Sequence, residues 1–164
     1  MLSPMRSNQV FSRMTADEAL RFLNRLKGEA PSVAKLALGA AADAFKLRPE
    51  FLKKQPRARQ AEWVRRALGR NVGARIAEEV LAGYFMDQRA DLLIELLDEL
   101  GIEHDEGALK GTPECPPKKK LQALVKKFRG GDDAETRELL LLAFAGQSSI
   151  EWPLFDQVLG IETA

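Results

Sequence analysis

Residues 76–100 read IAEEVLAGYFMDQRADLLIELLDEL, and Ile76, Val80, Gly83, Met86, Ala90, Leu93, Leu97 and Leu100 follow one another at spacings of three and four. That spacing keeps side chains on one face of an α-helix, because 3.6 residues complete a turn. Leu92 and Leu96 widen the apolar face beyond a coiled-coil seam, so the second half belongs against a core. The stripe permits one unbroken helix, but Asp87 is suited to restart the backbone after a bend, and two segments are expected.

The same period runs outward in both directions. Thr15-Ala-Asp-Glu18 is a capping box, followed by Ala19, Phe22, Leu23 and Leu26 at helical spacing and closed by Gly28. Pro31 opens a helix with Val33, Leu36, Ala37, Ala40, Ala41, Ala44 and Phe45 inward, its small residues admitting a close neighbour. A short helical turn around Phe51 and Leu52 precedes a helix from Pro56 to about Gly69, with Ala61, Val64 and Leu68 as its apolar face. Beyond Gly101, Asp105-Glu106-Gly107 suits a tight turn. Pro116-Pro117 starts a basic helix on Leu121, Leu124, Val125 and Phe128. Asp132-Asp-Ala-Glu135 opens another, apolar nearly all round from Leu139 to Ala145 and so expected to be buried on most sides. A last short helix follows Trp152-Pro153. The fold expected is all-α, a compact bundle of six to eight helices with room for one small β-hairpin near 102–109.

A chain of 164 residues with 45% hydrophobic content is sized for one core, so residues 15–164 are expected to form a single domain. Residues 1–14 contain Arg6 and Arg13, no acid and no apolar h-region, and are expected to be disordered or loosely attached. No stretch reaches the length of a membrane-spanning helix, so no membrane partner is expected. The single cysteine, Cys115, excludes an internal disulfide and suits a cytoplasmic setting.

Charge is sorted into blocks. Residues 44–75 hold ten Lys/Arg against Glu50 and Glu62, and residues 76–114 hold eleven acids against Arg89 and Lys110. Residues 115–131 then carry six cations and no acid, and residues 132–164 seven acids against Arg137 alone, although the whole chain has a net charge of only +1. Opposite blocks of this kind steer helices or subunits together, within one chain or across a dimer, while apolar burial supplies the stability.

Catalytic signals are sparse. One histidine and one cysteine allow a thiol pair only between His104 and Cys115, with no nucleophile motif around either. Glu103-His104-Asp105-Glu106 is the densest set of metal-ligand types, and on a strand His104 and Glu106 share one side, yet two ligands do not hold a structural zinc. Neither phosphate-binding glycine motif occurs, and no cofactor is expected. The better-supported chemistry is basic. Arg59, Arg66 and Arg70 fall within about 40° of one another on a helix, with Trp63 beside them, an arrangement suited to phosphates and an unpaired base. Lys118 and Lys119 offer a second basic site.

The reading favoured is a cytoplasmic protein–protein interaction or regulatory module that self-associates, as a homodimer, rather than an enzyme. The alternative is RNA or DNA binding through Arg59, Trp63, Arg66, Arg70, Lys118 and Lys119. A weaker alternative is a metal-dependent enzyme centred on His104 and Glu106.

Overall fold

The computed structural model describes residues 5–161, which form ten α-helices and one two-stranded antiparallel sheet. The all-α architecture with a small hairpin is therefore present. The helix count exceeds six to eight because Ser7–Ser12 forms α1 and the turn at Phe51-Leu52 is the five-residue α4, Pro49–Lys53. Among the described residues no helix is long and apolar enough to cross a membrane.

The chain divides into two compact units: residues 7–88, and residues 89–161 with residues 5 and 6. The division falls inside the apolar stripe of residues 76–100. Helix α6 (Ala74–Gln88) ends at Arg89, whose φ of −130° and ψ of 40° leave the helical region, and α7 (Ala90–Leu100) begins there. The break lies two residues beyond Asp87, and the Arg89 side chain is held there by Asp91 at 3.2 Å and by Asp133 at 2.6 Å. One apolar period thus feeds two cores, Ala77 and Val80 in one unit, Leu93 and Leu97 in the other.

In the first unit, α1, α2 (Ala16–Glu29), α3 (Pro31–Ala44), α5 (Arg57–Leu68) and α6 pack against one another, with α4 on α3. The Thr15 hydroxyl accepts from the Glu18 amide at 3.1 Å and the Glu18 carboxylate accepts from the Thr15 amide at 3.1 Å, completing the capping box. Phe11, Phe22, Tyr84 and Phe85 form a chain of tilted and edge-on rings with centroids 5.2 to 5.9 Å apart. The expectation of a loose N-terminus over 1–14 is corrected from residue 5 onward; residues 1–4 lie outside the described residues. Met5, Val10, Phe11 and Met14 are buried, an apolar content that outweighs the absence of any acid. Buried Gln60 spreads its amide over the carbonyls of Leu52, Lys53 and Gln55 at 3.0 to 3.1 Å, closing the otherwise open end of α4.

In the second unit α7 packs on α8 (Lys118–Arg129) and α9 (Ala134–Ala145), and α8 on α10 (Pro153–Val158). Between α7 and α8, β1 (His104–Asp105) pairs with β2 (Ala108–Leu109) in antiparallel register His104↔Leu109 and Asp105↔Ala108. The two loop residues both have positive φ, 49° at Glu106 and 96° at Gly107, the type I′ geometry that matches strand twist. The basic block on α8 meets acid inside its own unit: Lys127 pairs with Glu99 at 2.8 Å and Arg129 with Glu138 at 2.7 Å.

Candidate interaction surface

The six alanines of helix α3 spread over about 200° of its circumference, which leaves a wide choice of buried side. Val33, Ala34, Ala37, Ala41 and Ala42 are buried, whereas Leu36 is 37% exposed and Ala44 is exposed. The inward set read from the sequence is corrected accordingly: Leu36 and Ala44 face outward and Ala34 and Ala42 take their places. Leu36, Gly39, Ala40 and Ala44 become one wall of a groove of about 580 Å³.

The opposite wall comes from the turn between α5 and α6. Gly69 and Gly73 bring the backbone so close that a Cβ would lie 2.8 Å from the Arg65 carbonyl oxygen and 2.5 Å from that of Ala67. Asn71 accepts from buried Asn8 at 3.3 Å rather than capping a helix, and residues Asn71–Gly73 form a single 3₁₀ turn. This turn carries Val72 outward, 82% exposed, beside half-buried Ile76. Leu36, Val72 and Ile76 thus leave apolar surface in water on one groove, with Lys35, Arg70 and Asp43 as its charged lining.

Arg70 links the groove to the basic stripe foreseen on α5. Its guanidinium lies 5.5 Å from the Phe45 ring centroid, and Arg66 lies 5.5 Å from both the Phe45 and Trp63 centroids. Trp63 itself packs on Phe45 at 4.9 Å and is half-buried. The structure brings Trp63, Arg66 and Arg70 together around Phe45, while Arg59 lies exposed near the start of α5. The indole is therefore a packed partner of arginine stems and a phenyl ring, not an open stacking platform. Lys118 and Lys119 are exposed in the first turn of α8 and belong to the other unit.

His104 is occupied on both ring nitrogens. Nδ1 accepts from the Gly107 amide at 3.1 Å, which puts the ring proton on Nε2, 2.7 Å from the Asp98 carboxylate. Glu106 sits exposed in the turn, and among the described residues no group of three His, Cys, Asp or Glu side chains is placed to hold a metal. Cys115 donates to the Pro116 carbonyl at 3.4 Å, and burial raises its thiol pKa, so neither residue is arranged as a thiol pair.

No protein-family model, curated protein or solved structure matches the chain. The site is defined by the chemistry of its own residues.

That chemistry differs between the units. Residues 7–88 hold fifteen Lys/Arg against nine Asp/Glu, and residues 89–164 hold nine against fifteen. On α9 the face opposite buried Leu140, Leu141 and Phe144 carries Glu135, Leu139 and Leu142, four and three residues apart. Leu139 and Leu142 are half-buried, so α9 is less enclosed than its apolar run suggests. Sequence reasoning missed the groove because it assigned Leu36 to the core and gave Val72 no role.

Proposed function

We propose that the chain is a protein-interaction module that self-associates, with its cationic unit as the receiving surface. The observation that carries this reading is the uncovered apolar groove at Leu36, Val72 and Ile76 on a cationic unit, in a chain whose other unit is anionic. Apolar surface supplies the free energy of association, and opposite unit charges raise its rate and set its register. A lone thiol with a raised pKa is compatible with a reducing, cytoplasmic setting.

The second reading, nucleic-acid binding, keeps support from the cation excess of residues 7–88 and from exposed Arg59 and Arg66 on α5, with exposed Arg70 just beyond its end. It is weakened by the packing of Trp63 against Phe45, which removes one aromatic face from base stacking.

Light scattering with in-line absorbance at low and high salt tests both. A mass of at least twice the 18.2 kDa chain, falling with salt and free of 260 nm excess, is the expected result. A single-chain mass at both salts overturns self-association, and co-eluting nucleic acid released by salt promotes the second reading.

A further inference from the structure

We infer that the groove of the cationic unit receives the Glu135–Leu139–Leu142 face of α9 from a second copy of this chain. The inference rests on the self-association proposed above and names its two surfaces. The groove offers Leu36, Val72 and Ile76 as apolar contacts, and α9 presents two half-buried leucines at helical spacing. An amphipathic helix docks into an apolar groove through side chains spaced in this way.

Charge complementarity selects a second copy as the occupant. The groove lining carries Lys35 and Arg70 against Asp43 alone, and the α9 face begins with the acid Glu135, Glu138 at its edge being paired with Arg129 of its own unit. Like-charged occupants are disfavoured by the excess of cations on residues 7–88, whereas the anionic unit of another copy is always present at the same concentration. Gly39 adds an independent feature of the floor. It lies exposed within α3, a Cβ there would meet nothing within 4 Å, and helix stability alone favours alanine at such a position. Its bare backbone lets a neighbouring helix approach closely.

Light scattering over a concentration series, on wild type and four variants, tests the pairing. Gly39→Glu keeps or improves helix propensity in α3 while filling the groove with an acid, and so separates lost docking from lost folding. Gly39→Glu, Lys35→Glu and Glu135→Lys are each expected to weaken association by about tenfold, with unchanged circular dichroism. Combining Lys35→Glu with Glu135→Lys in one chain restores it, because each copy then presents both reversed charges. Wild-type mass retained by Gly39→Glu overturns the groove while leaving self-association standing. Loss in Gly39→Glu with wild-type behaviour in Glu135→Lys overturns α9 as the occupant. A monomeric wild type overturns the self-association reading and this pairing together.

Discussion

The guanidinium of Arg137 lies over the ring of Phe128, 4.7 Å from its centroid. From that position it pairs with Glu95 and donates to the carbonyls of Asp132 and Phe128, so one α9 side chain ties α7, α8 and the loop between α8 and α9. Its side chain is 12% exposed, but Glu95 is 44% exposed, so solvent screens much of the ion pair. Arg137→Met is expected to cost about 1–3 kcal/mol from lost hydrogen bonds and ring contact. Arg137→Lys falls between, since it keeps the charge without the planar fork. Urea denaturation of the three proteins checks the order.

Gly107 is held at φ +96°, and a Cβ there would lie 3.0 Å from Leu93 Cδ2. Gly107→Ala therefore strains the turn and crowds α7, with an expected loss of about 1–3 kcal/mol. His104→Ala removes one hydrogen bond within the same turn, from the Gly107 amide, and one to Asp98 on α7, and is expected to cost about 1 kcal/mol. Metal analysis of wild type and His104→Ala is expected to give equal content, whereas loss of metal in the variant would restore a metal role to His104.

Asp156 is buried, its carboxylate accepting from the Met5 amide at 3.0 Å, and burial raises its pKa above the ordinary carboxylate value. A group whose folded pKa is raised contributes stability fully below its unfolded pKa and loses it as pH rises through the folded value. Wild-type stability is thus expected to decline across that window. Asp156→Asn keeps an oxygen for Met5 without the buried charge, so it flattens the decline and is more stable at neutral pH. Denaturation midpoints over a pH series provide the check; a steeper wild-type loss towards acid, assigned to Asp156 by the same variant, would reverse the sign.

Local signals in the sequence carried much of the fold. The Thr15–Glu18 box, the prolines that open α3, α4 and α10 or immediately precede α8, and the Glu106-Gly107 turn act over a few residues, so the chain displays them directly. The division at Arg89 was less legible, because one apolar period serves two cores and nothing in its spacing marks the change. α3 is ambiguous for a different reason: its alanines span about 200° of the helix, and Leu36 falls on the arc of exposed Ser32, Gly39 and Asp43 and so turns outward. Of the candidate residues, Trp63, Arg66 and Arg70 are adjacent in space, but their shared partner Phe45 lies in another segment and no helical period connects them.

Arg66 is engaged with two rings, so Arg59→Glu combined with Arg66→Glu is expected to cost about 1 kcal/mol of stability. The ratio of absorbance at 260 nm to 280 nm in purified protein should not change between wild type and this variant. A wild-type excess at 260 nm that the variant lacks would assign phosphate contacts to α5.

Cysteine trapping between two different copies reads the docking of α9 into the groove of a second chain. With Cys115 replaced by serine in both, a chain carrying Val72→Cys is mixed with one carrying Leu139→Cys under mild oxidation at low salt. A covalent heterodimer is expected in clear excess over a control that pairs Val72→Cys with cysteine at exposed Gln157, and is expected to be lost at high salt. Equal yields for Leu139→Cys and the control would contradict docking of α9 into the groove.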